Sequence, residues 1–136
     1  MKIAIVVSDF NSEVTGPMLD RARAHAQSLK AEVVQAIHVF GVYDMPVVVK
    51  RLLQRSEVDG VVMLGAVIKG DTQHDEVIAN AVAHAGHRLA IEFDKPVALG
   101  ITGPGMTDQQ AVDRIDHAKN AVEAVVRVIR VLRELG

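Results

Sequence analysis

Cysteine and tryptophan are absent from the 136 residues, and the aromatic side chains are few: Phe10, Phe40, Tyr43 and Phe93. Without cysteine the chain can form no disulfide, thiolate nucleophile or Cys-based metal site. With so few aromatics, a core must be built from Val, Ile, Leu and Ala, so an aromatic at a strand end stands out. A surplus of charge is also missing. The 15 Lys and Arg face 17 Asp and Glu, and a net charge of −2 leaves no electrostatic footprint for nucleic acid. No apolar run is long enough to cross a bilayer. The N-terminal run Ile3–Val7 is too short for a secretory signal and reads as a first strand. A cytoplasmic setting is expected. Neither the Gly-x-x-x-x-Gly-Lys-Ser/Thr loop nor Gly-x-Gly-x-x-Gly occurs, so nucleotide binding of those kinds is unsupported. The histidines include no His-Glu-x-x-His pair.

What is present is the composition of a folded chain. Hydrophobic residues make up 49% and charged residues 24%, which excludes disorder and allows one domain, residues 1–136, with a substantial core. Apolar runs alternate with helical patterns four times. Ile3–Val7 reads as a buried strand, and Val33–Val39, Val58–Leu64 and Pro96–Ile101 as the second, third and fourth strands. Helices are expected over Val14–Lys30, Met45–Gln54, Gln73–Leu89 and Asp108–Leu135. In the last, Ala111, Ile115, Ala118, Val122, Val125, Ile129 and Leu132 form one stripe, and Ala121, Ala124, Val128, Val131 and Leu135 a second beside it. One stripe suffices to cover a sheet, so the second suggests a contact with a neighbouring subunit. This alternation predicts an α/β domain of three layers, flavodoxin-like and doubly wound. Its four-stranded parallel sheet has the order 2-1-3-4 and carries helices on both faces. Ligands of such folds gather outside the carboxyl ends of the strands.

The first strand end reads Ser8-Asp9-Phe10-Asn11, where Phe10 either stacks on a heterocycle or folds back over the core. The second reads Phe40-Gly41-Val42-Tyr43-Asp44-Met45-Pro46. Asp44 there is placed to cap the helix opened by Pro46 or to accept hydrogen bonds from ligand hydroxyls. The third, Gly65–Glu76, leads into a helix N-terminus, which offers free N–H groups and a positive dipole end to an anion. Thr72-Gln73-His74-Asp75 matches a capping box. That role accounts for Thr72 and Asp75 and leaves His74 over. The dipole at a first helical turn favours a neutral imidazole able to accept a proton. The fourth end carries the turn Gly103-Pro104-Gly105, with Thr107 as a helix cap. Arg114 follows two turns later, a surface residue or a phosphate clamp.

Together, Ser8–Asn11, Gly41–Pro46, Gly65–Glu76 and Pro96–Arg114 resemble the lumazine synthase family, and look most like its compact archaeal members. The resemblance spans almost the whole chain. It implies condensation of 5-amino-6-(D-ribitylamino)uracil with 3,4-dihydroxy-2-butanone 4-phosphate in riboflavin biosynthesis, with no cofactor or metal. It also implies that Phe10 stacks on the pyrimidine beside Asn11, and that Val67 and Ile68 line the pyrimidine site. Asp44, where the family usually has Glu, would bind the ribityl hydroxyls together with Val42 and Tyr43. Asp71, Thr72 and Arg114 would bind phosphate, and His74 would transfer protons. Leu99 stands where bacterial members place Phe, at a wall supplied by the adjacent subunit. Lys119 is the nearest match to a family lysine, at a different spacing from Arg114. The resemblance further implies a homopentamer with shared active sites, and leaves open closure into a sixty-subunit shell. Two alternatives are an archaeal-type riboflavin synthase paralogue, which His74 and Gly70-Asp71-Thr72 speak against, and a noncatalytic flavin- or lumazine-binding module.

Overall fold

The computed structural model describes residues 1–70 and 74–136. The apolar runs become four strands: β1 (Lys2–Ser8), β2 (Glu32–Val39), β3 (Gly60–Ile68) and β4 (Val97–Met106). They form one parallel sheet in the order β2-β1-β3-β4, as the alternation of elements predicts. The two central strands read as unbroken apolar runs because both faces are covered. In β1 the residues from Ile3 to Ser8 are buried, and in β3 those from Gly60 to Val67.

The two-residue period of a strand divides these side chains between two cores. Ile3, Ile5, Val7, Val62 and Leu64 point towards α1 (Ser12–Ser28) and α5 (His117–Leu135), where they meet Val14, Met18, Val122 and Ile129. Ala4, Val6, Val61 and Met63 point the other way, towards α2 (Met45–Leu53) and α3 (His74–Phe93), where they meet Met45, Val49, Leu52 and Val82. Each fully buried Val, Leu or Ile contributes roughly 1.5–3 kcal/mol over its exposed state. No helix among the described residues is long and apolar enough to cross a membrane.

The ends of the elements differ from the sequence reading in ways that matter for function. The helix expected over Val14–Lys30 runs from Ser12 to Ser28. β3 does not stop at Leu64 but continues through Gly65 to Ile68. β4 runs on through Gly103-Pro104-Gly105 to Met106, because Met106 pairs with Ile68. The helix expected to begin at Gln73 begins, among the described residues, at His74 and extends to Phe93 rather than Leu89. The long last helix is two: α4 (Asp108–Asp113) and α5, joined by a tight turn at Arg114–Asp116. There the N–H groups of Ile115, His117, Ala118 and Lys119 each reach back three residues rather than four.

In this last segment the first apolar stripe is buried from Ala111 to Ile129 and half-buried at Leu132. Of the second stripe only Ala121 is buried, and Ala124, Val128, Val131 and Leu135 lie exposed. Thr107 caps α4 in a reciprocal pair with Gln110: the Gln110 N–H donates to Thr107 Oγ1 at 3.2 Å, and the Thr107 N–H to Gln110 Oε1 at 2.9 Å. Because all four strands are parallel, their carboxyl ends lie along one edge of the sheet. Lys95 precedes β4 at the opposite edge, where its ammonium donates to the carbonyls of Leu53 and Arg55.

Candidate active site

A crevice of about 360 Å³ opens at the carboxyl edge, lined by residues that follow β1 and β2, by the end of β3 with Gly70 beyond it, and by the first turns of α3. Its β1 side is fixed at two points. The Asp9 N–H donates to the Val39 carbonyl at 2.8 Å and the Phe10 N–H to the Phe40 carbonyl at 3.0 Å, so the β1–β2 ladder continues past both strands. Asn11 then takes a left-handed conformation (φ 64°), which Asn tolerates, and its Nδ2 donates to the Ala66 carbonyl at 3.0 Å. Between these anchors Phe10 stands out over the crevice, 62% exposed. It is not folded back over the core.

On the β2 side, Val42–Asp44 forms one turn of 3-10 helix. Asp44 occupies the position before α2, but its side chain makes no capping bond there. Its carboxylate instead accepts from the Gly41 N–H at 3.0 Å, while its own N–H donates to the Gly41 carbonyl at 3.1 Å. The capping role is thus turned backwards, and it holds the carboxylate at the crevice. Gly65 allows this turn to sit directly on β3. A Cβ at Gly65 would come within 2.5 Å of Val42 Cγ2 and 3.1 Å of Ser8 Oγ.

The third wall is β3 and α3. Val67 and Ile68 line the crevice, with Gly70, His74 and Asp75 beyond them. Asp75 is 7% exposed, and its carboxylate accepts from the Gly105 N–H at 2.8 Å, tying the first turn of α3 to the glycine-rich end of β4. The Gly103–Pro104 peptide is cis, and Gly103 has φ 109°. A Cβ there would run into the Val67 carbonyl oxygen, so only glycine lets the β4 end lie against the crevice strand. Beneath the Val42 turn, the buried Ser8 hydroxyl has no hydrogen-bond partner among the described residues. No group of three or more His, Asp or Glu among them gathers in metal-binding geometry.

Most of the residues singled out in the sequence therefore meet. Phe10, Asn11, Val42, Tyr43, Asp44, Val67, Ile68 and His74 line one crevice. Asp71 and Thr72 lie outside the described residues. Leu99 does not line the crevice. It is 53% exposed and borders a separate depression of about 370 Å³ with Met63, Asn80, His84 and His87. Arg114 is exposed at the turn between α4 and α5 rather than inside a helix, and does not line the crevice. Lys119 is exposed in the first turn of α5, its ammonium 4.0 Å from the Asp116 carboxylate. Six crevice residues carried no site assignment in the sequence: Phe40, Gly41, Ala66, Gly70, Asp75 and Ile78. Phe40 follows β2 as Phe10 follows β1, and that shared position was the signal available. Ile78 belongs to the apolar periodicity of α3, and the Asp75–Gly105 contact is long-range and leaves no local trace.

The chain matches the family model for 6,7-dimethyl-8-ribityllumazine synthase over residues 1–133. It is 54% identical over 116 residues to a 6,7-dimethyl-8-ribityllumazine synthase of Metallosphaera sedula, covering 85% of this chain and 77% of the relative. It is 51% identical over 119 residues to one of Methanoculleus marisnigri, covering 88% of each chain. With one of Methanopyrus kandleri it is 47% identical over 135 residues, covering 99% of this chain and 96% of the relative.

Proposed function

The chain belongs to the 6,7-dimethyl-8-ribityllumazine synthase family, and from that membership we propose how its crevice carries out the family's reaction. It is a transferase-type enzyme of riboflavin biosynthesis. It condenses 5-amino-6-(D-ribitylamino)uracil with 3,4-dihydroxy-2-butanone 4-phosphate to 6,7-dimethyl-8-ribityllumazine, phosphate and water. The observation that carries the division of roles is the convergence of an exposed aromatic, a turn-closing carboxylate and a helix-first histidine on one crevice.

In this reading Phe10 takes the pyrimidine on its exposed face, with Val67 and Ile68 as the apolar wall. Asn11 fixes the height of that face through its bond to Ala66. The Val42–Asp44 turn takes the ribityl chain. One Asp44 oxygen holds the turn, and the carboxylate faces hydroxyl donors of the sugar alcohol. Asp71 and Thr72 supply donors to the phosphate ahead of α3, where the helix dipole favours an anion. His74, at the start of α3, moves protons as the amine adds to the ketone, as phosphate leaves and as the ring closes. Amine and ketone need little activation, so holding them together is the larger part of the catalysis.

Arg114 and Leu99 lie off the crevice, and a second copy that brings them to it would complete the site. Arg114 would then meet the phosphate as a bidentate donor, with Lys119 as an accompanying cation. A pentameric ring, alone or as the unit of a larger shell, provides such a neighbour for every crevice. The exposed stripe Ala124, Val128, Val131 and Leu135 offers apolar surface for contacts of this kind. A cytoplasmic setting fits substrates that are small, polar and phosphorylated.

The test is to mix both substrates with the assembled protein and follow lumazine absorbance and fluorescence. Appearance of product with loss of both substrates is the expected result. An assembled protein that makes none would refute the reading. A control with lumazine alone should yield no riboflavin.

A further inference from the structure

Phe40 has no role in the assignments above, yet it is the most exposed of the crevice aromatics at 76%. An aromatic ring left in water forgoes the burial that ordinarily repays its place in a sequence. Its position is nevertheless well defined. Its carbonyl accepts the Phe10 N–H at 3.0 Å, and one residue earlier the Asp9 N–H donates to the Val39 carbonyl at 2.8 Å. A side-chain brace runs alongside, with His38 Nδ1 and Asp9 Oδ1 2.8 Å apart. This exposed pair adds little stability, but it joins the ends of β1 and β2 on which the two phenylalanines stand. The ring centroids of Phe10 and Phe40 are 6.1 Å apart and their planes are inclined by 49°. That is a tilted geometry of the kind aromatic pairs favour.

We propose that Phe40 is a specificity-determining residue for the heterocycle, forming with Phe10 a two-sided aromatic corner at the mouth of the crevice. A planar ring laid flat on Phe10 is inclined to Phe40 by the same 49°, so Phe40 bounds it at an angle instead of forming a second stacked layer. Phe10 supplies the floor, and Phe40 excludes water from the outer side. The corner lies wholly within one chain, and this matters because Leu99, which a second copy would bring to the crevice, is aliphatic and offers no aromatic face there. The inference rests on the reading of this crevice as the pyrimidine site and goes beyond it in assigning Phe40.

The assembled protein is titrated with 6,7-dimethyl-8-ribityllumazine, following the ligand's fluorescence, for the wild type, Phe40→Leu and Phe40→Trp. Phe40→Leu keeps apolar bulk and removes the ring, so it should weaken binding roughly 3- to 10-fold, the range of one aromatic contact. Phe40→Trp should bind like the wild type. The KM for the phosphorylated ketone and the sedimentation mass should stay unchanged in both variants, since Phe40 touches neither phosphate nor core. Equal lumazine affinity in Phe40→Leu and wild type would overturn the proposal. A changed mass with equal losses for both substrates would also overturn it, marking Phe40 as a contact between copies. If the wild type forms lumazine from its two substrates and only these variant results fail, the inference falls and the functional reading stands. If the wild type forms none, the functional reading fails, and this proposal with it.

Discussion

Gly65→Ala is the sharpest structural perturbation of the crevice, because it adds a single methyl group at the point where two walls touch. The new Cβ would lie 2.5 Å from Val42 Cγ2 and 3.4 Å from Met45 Cε. Ordinary carbon–carbon contact is about 3.5–4.0 Å, so Val42 must retreat by about 1–1.5 Å. Val42 is 7% exposed and packed in the α2/α3 core, and a β-branched side chain has few rotamers to escape into. Overpacking of this kind costs about 1–3 kcal/mol. For a chain of this length, with assembly state and concentration held constant, that corresponds to a fall in Tm of roughly 3–10 °C. The displaced residue opens the turn that carries Tyr43 and Asp44, so apparent affinity for the ribityl-bearing uracil should fall more than that for the phosphorylated ketone. The paired substitution Gly65→Ala/Val42→Ala relieves the overlap and should restore part of the affinity. Calorimetry and steady-state kinetics on the three variants check this. A Gly65→Ala protein with unchanged Tm and unchanged KM for the uracil would refute the claim that Gly65 sets the depth of the Val42 turn.

Three further outcomes follow from the same geometry. His74→Ala should slow turnover roughly 10- to 100-fold, the low end of what general acid–base groups contribute, since positioning remains intact; complete loss in a correctly assembled variant would contradict that weighting. Arg114→Ala should raise the KM for the phosphorylated ketone well above any change for the uracil, and equal losses for both would count against a phosphate role. Asp75→Ala removes the charged acceptor of the Gly105 N–H. Bonds to charged groups contribute about 1.5–3 kcal/mol, so Tm should fall, with Asp75→Asn, which keeps an acceptor, falling less. Identical behaviour of the two variants would remove the significance given to that bond.

The fold was legible because the runs of its two central strands are unmixed over most of their length. Ile3–Val7 and Val61–Leu64 can be satisfied only when buried on both faces, and helices of the observed length on either side leave a parallel sheet as the natural outcome. What escaped was set by contacts distant in sequence. Gly103-Pro104-Gly105 looks like a strand-ending turn, yet β4 continues through it because Met106 finds Ile68 and Gly105 finds Asp75. The turn at Arg114–Asp116 contains neither Gly nor Pro. Ala111, Ile115 and Ala118 are buried on both sides of it, so the apolar period runs across the junction uninterrupted. At the site, Phe10 and His74 were legible from the pattern, one directly after a strand and the other in the first turn of a helix, whereas Asn11 and Val67 entered only through the family resemblance. Asp44 was read with two roles, and its carboxylate closes the turn behind it instead of capping the helix ahead. Phe40 satisfied the same positional rule as Phe10, but without the packed ends of β1 and β2 nothing joined the two rings.

Completion of one chain's crevice by another chain's Arg114 is the most consequential feature of the proposed site. It is tested by co-assembling His74→Ala and Arg114→Ala chains in equal amounts and measuring lumazine formation at low phosphorylated-ketone concentration. If His74 and Arg114 of one site come from neighbouring chains, random mixing in a ring restores both native residues at about a quarter of the sites. Activity should then rise to about a quarter of the wild-type value, above either parent. Activity equal to the mean of the two parents would contradict the claim, because it would mean that each site draws His74 and Arg114 from the same chain.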